Sequence, residues 1–175
     1  MANVGVIGAG SWGIALAKVL HTNGNRVTVW SIVEQEIAML REKHEHVDKL
    51  PGVPLPEDMT FTSELRAAVE GMDYLVLAVP SVFTRSTAKS MASFVKKGQV
   101  IVCVAKGIEE ETLKTISDVV EEEIQTAEVA VMCGPSHAEE VGAGLPTTVV
   151  AGARKKRIAE GVQDIFMNEV FRVYT

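Results

Sequence analysis

A short apolar run, Asn3 to Ile7, passes straight into Gly8-Ala-Gly10-Ser11-Trp12-Gly13 and then into a segment of helical period. That order constrains the fold more than any other feature of the chain. At a strand-to-helix junction the first glycine of G-x-G-x-x-G permits a tight turn, and the second lets main chain approach a pyrophosphate. The third lets the helix pack closely on the strand. Free N–H groups at the helix start then face the anion. Residues 1–80 therefore read as the first mononucleotide half of a dinucleotide-binding unit. Gly8, Gly10, Ser11, Trp12 and Gly13 are its candidate cofactor-binding residues, and the cofactor is a nicotinamide dinucleotide, NADP or NAD.

Downstream, short β-branched runs alternate with longer segments of helical period, the pattern of a mainly parallel sheet covered on both faces. The expected fold class is α/β, Rossmann-type and doubly wound, with residues 81–175 as its second half. Strands are predicted at Asn3–Ile7, Arg26–Trp30, Tyr74–Val79, Val100–Ala105, Val129–Cys133, Thr147–Ala151 and Phe171–Tyr174. Helices are predicted at Ile14–Thr22, Val33–Glu45, Ser63–Glu70, Thr84–Val95, Thr112–Gln125 and Ala153–Met167. Prolines at 51, 54 and 56 make residues 50–56 an irregular loop.

A formal charge of -6 argues against a non-specific grip on nucleic acid or an anionic membrane. No apolar run is long enough to span a bilayer and no export signal is visible, so the expected location is cytoplasmic. Cys103 and Cys133 lack metal-ligand spacing and are expected to be buried, reduced thiols. The acidic run Glu109 to Glu111 suits a helix N-terminus, Glu121 to Glu123 reads as a solvated face, and neither suggests a metal site. Arg154 to Arg157 is read as solvated surface, with contact to another domain as the alternative.

An acid at the end of the second strand usually bonds the ribose 2′-OH of NAD. Here that stretch is Trp30-Ser31-Ile32, with neither a carboxylate to repel a 2′-phosphate nor an Arg to pair with it, so the choice leans to NADP. Trp30 is open to two readings, packing or stacking on adenine. Two more segments follow strands at the edge where open α/β sheets bind ligands. One is Cys103 to Ile108, in which Lys106 needs an anionic partner. The other is Cys133 to Thr147, in which Ser136 is placed to cap a short helix.

Taken together, Gly-Ala-Gly-Ser-Trp-Gly at 8–13, Ala-Val-Pro at 78–80, Ala-Lys-Gly-Ile at 105–108, Gly-Pro-Ser-His-Ala-Glu-Glu-Val at 134–141 and Gly-x-Pro-Thr at 144–147 resemble the N-terminal half of bacterial NAD(P)-dependent glycerol-3-phosphate dehydrogenase. The resemblance implies that Ser11, Trp12, Lys106 and Ala138 contact cofactor and that Lys106, Gly134 and Ser136 contact substrate. It implies reduction of dihydroxyacetone phosphate to glycerol 3-phosphate for phospholipid synthesis, and a homodimer as the full-length protein. The family's acid/base Lys belongs to a C-terminal helical domain beyond Thr175, so no catalytic residue is expected within these residues. The chain departs from the family at Ser31, Ile32 and Val33, where relatives commonly carry an Arg. A stand-alone dinucleotide sensor and a hydroxyacid or sugar-nucleotide dehydrogenase domain are the alternatives.

Overall fold

The computed structural model describes all 175 residues. In chain order the elements are β1 (Asn3–Ile7), α1 (Ser11–Thr22), β2 (Arg26–Trp30), α2 (Glu34–Lys43), β3 (Thr60–Thr62), α3 (Leu65–Val69), β4 (Tyr74–Leu77), α4 (Thr84–Met91), β5 (Val100–Cys103), α5 (Ile116–Glu123), β6 (Glu128–Cys133), α6 (Ala138–Gly142), β7 (Thr147–Ala153), α7 (Lys156–Phe166) and β8 (Phe171–Tyr174). The eight strands form one sheet in the order β3-β2-β1-β4-β5-β6-β7-β8. Six of them, β1 to β6, run parallel. β7 turns back antiparallel to β6, and β8 lies parallel to β7. The order reverses between β1 and β4, so the crevice beyond their C-terminal ends is the topological switch point where such sheets take ligands.

The central strands are apolar on both sides because helices cover both. Helices α1, α2, α6 and α7 bury one cluster of 34 residues, while α3, α4 and α5 bury 15 on the opposite face. The imbalance has a location. Val129 lies under α5, but its same-face successors Val131 and Cys133 do not, and β7 and β8 have no helix on that side. Cys133 pairs with Val150 and Val150 with Tyr174, a row across three strands. Val150 and Tyr174 are 52% and 55% exposed. Cys133, expected to be buried, is therefore exposed, because it lies in this uncovered row; only Cys103 is enclosed.

Strand β3 was not expected from the sequence: Thr60-Phe61-Thr62 is too short to show alternation, yet its main chain completes the edge beside β2. Helix α5 starts at Ile116, not Thr112. Leu113 takes a left-handed φ of 58°, and Thr115 caps the helix reciprocally with Asp118. Glu109 consequently sits in a loop rather than at a helix start. There Arg85 of α4 binds it at 2.7 Å, together with Glu123 at 2.7 Å and Glu122 at 3.0 Å, clamping α4 to α5. The basic run is also paired: Arg154 meets Glu121 at 2.7 Å, and Lys155 and Arg157 share Glu128. The 50–56 loop is irregular as expected, but Leu50, Val53 and Leu55 are buried in the main core.

One polar side chain joins the halves of the sheet from within. The buried Gln99 amide donates to the carbonyls of Val69 and Met72 at 3.0 and 2.9 Å, and its oxygen accepts from the N–H of Lys96. Gln99→Ala should leave these groups unpaired and lower the unfolding free energy by about 3 kcal/mol, read as a lower urea midpoint at unchanged slope. A second expectation concerns acid. Hydrogen bonds from Arg85 and then Thr112 hold the Glu109 carboxyl at about 2, below its ordinary 4.5. Its contribution to stability is thus complete above about pH 4.5 and is lost as pH falls towards 2. Arg85→Met should flatten the loss of stability across that window in urea titrations at stepped pH, and leave the curve above it parallel to wild type.

Candidate functional site

The glycine turn is fitted to its surroundings by main chain. Gly8 has φ 121°, and a Cβ there would lie 2.8 Å from the Ala78 carbonyl carbon and 2.9 Å from the Val79 nitrogen. A Cβ on Gly13 would lie 2.1 Å from the Gly8 oxygen. These two glycines let β1, α1 and the end of β4 meet at one point. Gly10 differs, since a Cβ there would meet nothing within 4 Å and would project into open space. Gly10 is also the N-cap of α1, without a side-chain cap and without an acid in the first turn. The N–H groups of Ser11, Trp12 and Gly13 have no partner in the chain, the first helical bond being Ile14 to Gly10 at 3.0 Å. A bare main-chain cradle with the positive end of a helix dipole behind it fits the pyrophosphate of a dinucleotide.

From this turn a cleft of about 420 Å³ runs across the strand ends, reaching Lys106 after β5 and Ser136 before α6. It brings together Gly10, Ser11, Trp12, Lys106, Ser136 and Ala138, which are far apart in sequence. The Lys106 turn is possible because Gly107 takes φ 126°, where a Cβ would also come within 3.2 Å of the Ser81 hydroxyl oxygen. Lys106 is exposed and lines the cleft. Helix α6 is held over α1 by Lys18, whose ammonium donates to the Gly142 carbonyl at 3.0 Å, and by Gly142 packing on Val53. The loop of residues 50–56 thus supports one wall of the site through its buried Val53.

Two expected residues stand differently. Ser136 does not cap α6, whose N-cap is His137 without a side-chain bond; instead its buried hydroxyl turns back towards the Gly134 carbonyl at 3.4 Å. Gly134 lies outside the cleft lining, and a Cβ there would come within 2.7 Å of the Thr148 oxygen, so the β6–β7 crossing already requires glycine.

On the other side of the turn lies a second cavity of about 330 Å³, lined by Gly8, Gly10, Trp30, Ser31, Glu36 and Lys49 among others. Trp30 is a packing residue, 7% exposed, with its indole N–H donating to the Ser63 carbonyl at 2.9 Å. The expectation that no carboxylate stands at the end of β2 is corrected here. Glu36, in the first turn of α2, folds back so that its Oε2 accepts from the Ser31 hydroxyl at 2.7 Å. A search confined to the strand end misses it, because helix geometry, not sequence adjacency, delivers the carboxylate.

The geometry accords with what the chain is similar to. The family profile described as NAD-dependent glycerol-3-phosphate dehydrogenase N-terminus matches residues 3–159. The glycerol-3-phosphate dehydrogenase (NAD(P)+) of Agathobacter rectalis is 71% identical over 175 residues, all of this chain and 52% of the relative. That of Fusobacterium nucleatum is 51% identical over 177 residues, covering 53% of its length. The crystal structure of glycerol-3-phosphate dehydrogenase from Coxiella burnetii superposes with a TM-score of 0.93 at 29% identity, over 99% of this chain and 53% of that one. The chain spans about half the length of the curated relatives it matches. A glycine turn built for a dinucleotide and a profile match over most of the chain lead to one conclusion: it belongs to the family of NAD-dependent glycerol-3-phosphate dehydrogenase N-terminal domains.

Proposed function

We propose that this chain is the cofactor-holding half of a cytoplasmic enzyme that interconverts dihydroxyacetone phosphate and glycerol 3-phosphate for glycerophospholipid synthesis. One observation carries the reading: the segments at 10–12, 78–81, 104–106 and 136–139, scattered along the sequence, line a single cleft at the switch point. When bound, the nicotinamide cofactor supplies or accepts hydride. The chain's own residues do the rest of the holding. Gly8, Gly10 and Gly13 shape the cradle, the N–H groups of Ser11 and Trp12 receive the pyrophosphate, and Ala138 borders the cofactor at the start of α6. Lys106 places positive charge beside the phosphorylated triose and Ser136 hydrogen-bonds it, while Gly134, outside the cleft lining, serves through its carbonyl, which accepts from the Ser136 hydroxyl.

Reduction of a ketone builds negative charge on its oxygen and needs a proton donor there. Within the cleft lining no side chain is set to donate that proton, since Lys106 is matched to an anion and His137 beside Ser136 has no oriented acid behind it. The donor is assigned to a second, helical domain supplied by the remaining length of the protein. The open row Cys133, Val150 and Tyr174 is the apolar face such a domain would cover, since neighbouring apolar positions of β6 and β7 are otherwise left in water. Homodimer formation belongs to the whole protein and is checked by its mass in solution.

Three measurements test this. Gly10→Ala should unfold at the wild-type temperature yet bind NADH at least about tenfold more weakly, whereas Gly13→Ala should lose about 2 kcal/mol of stability. This chain alone should bind NAD(P)H and reduce dihydroxyacetone phosphate negligibly in a nicotinamide absorbance assay; robust turnover would refute the assignment of the proton donor. In the full-length enzyme Lys106→Ala should lower kcat/KM for the triose phosphate by about 10- to 100-fold while NADH affinity changes little. Equal losses would count against its substrate role.

A further inference from the structure

Main chain holds the segment that carries Lys106 only at its ends. On the β5 side the last hydrogen bond runs from the Val104 N–H to the Leu77 carbonyl at 3.2 Å, and from Ala105 to Ile108 no main-chain group bonds to backbone. Order resumes at Glu109. Its N–H donates to the Lys114 carbonyl at 2.9 Å and its carbonyl accepts from the Leu113 N–H at 2.8 Å, so residues 109–114 close on themselves as a small loop. Apolar packing adds little, because Ile108 and Leu113 are 53% and 72% exposed. A strap with so few internal ties takes its position from whatever grips its far end.

The grip is Arg85 of α4. Its guanidinium takes the Glu109 carboxylate in a two-point fork, Nε to Oε1 and Nη2 to Oε2, both at 2.7 Å. The Thr112 hydroxyl donates to the same carboxylate at 2.5 Å. Arg85 is itself fixed from α5, where Glu123 accepts from Nη1 and Glu122 from Nη2. The fork therefore joins a helix that begins just past the cleft wall at Pro80 and Ser81 to a point three residues beyond Lys106. Ion pairs with this much exposure add modestly to folding. A planar fork, however, fixes direction as well as distance, and a point charge does not.

We propose that Arg85 is a positioning residue: by gripping Glu109 it fixes the strap from Ala105 to Lys114 and so sets where the Lys106 ammonium stands in the cleft. The inference rests on the reading that Lys106 meets the phosphorylated triose, and it adds a residue of α4 that does not itself line that cleft.

The test is a set of variants of the full-length enzyme, assayed with dihydroxyacetone phosphate and NADH. Arg85→Met should lower kcat/KM for the triose phosphate by about 3- to 10-fold, chiefly through KM, and Arg85→Lys should recover part of the loss. Glu109→Ala should do the same while leaving Arg85 with Glu122 and Glu123, so its effect is separate from the tie between α4 and α5. Lys89→Met removes an exposed charge one turn along α4 and should change nothing. In a Lys106→Ala background, Arg85→Met should cost less than about 1.5-fold more, because the group it positions is gone. Tryptic cleavage after Lys106 should quicken at least about threefold in Arg85→Met and Glu109→Ala, a readout independent of turnover. Full activity in both Arg85→Met and Glu109→Ala, or losses that multiply with that of Lys106→Ala, would overturn the positioning role while leaving the substrate role of Lys106 intact. If Lys106→Ala alone leaves kcat/KM unchanged, that substrate role fails, and this inference with it.

Discussion

The contact on which everything else rests is main chain against main chain at the Gly8 turn. Gly8 lies against the peptide joining Ala78 to Val79, and Gly13 lies against the Gly8 carbonyl. Each contact is closer than any side chain permits, so the end of β1, the start of α1 and the end of β4 converge within one turn. That convergence opens the crevice and places Ser11 and Trp12, whose N–H groups have no partner in the chain, along its lining. With an overall charge of -6, the protein has no broad positive field to gather anions. Capture of a diphosphate has to come from these local dipoles, which act over the length of one turn.

The two cavities flanking the turn divide the work by chemistry. On the β5 and β6 side the strand ends present an exposed Lys106, a buried hydroxyl at Ser136 and an exposed His137, groups suited to a small polar anion. On the β2 side the walls are Trp30, Val79 and the aliphatic mouth at Ile32 and Val33, with one neutralised ion pair at the end, which suits a flat heterocycle and a sugar. Main chain thus shapes the middle of the crevice, while side chains give its two ends different chemistry.

What was legible in the sequence follows from the range of the interactions involved. The glycine turn, the buried strands β1, β4 and β5, and the motif at 105–108 depend on local pattern, and they stand where the pattern puts them. Features decided by distant partners were not legible. Strand β3 exists because β2 offers an edge to pair with. Helix α5 is shortened by a left-handed Leu113 that no local preference favours, and Cys133 is exposed because the helix layer stops short of it. Glu36 escaped because two acids in the first turn of α2 are sufficiently explained by the helix dipole. Only the fold-back onto Ser31 brings one of them to the end of β2.

The open row on β6 to β8 separates the stability of the domain from the completeness of its site. The sheet is closed off by α7, which buries Ile158, Val162, Ile165 and Phe166 on the main-core face, so β7 and β8 are anchored from one side alone. Anchoring from one side is enough to fold them, since the apolar residues on that face, Val149, Phe171 and Val173, are fully enclosed. It also leaves the opposite side available without any rearrangement of the strands that carry the cleft. That open side lies one strand pairing away from the β6 end that leads into Gly134 and Ser136. The cradle at Gly8 to Gly13 leaves β1, which is separated from β6 by β4 and β5 in the same sheet. Substitutions in the glycine cradle and in the open row should therefore act independently, as sites without shared partners generally do.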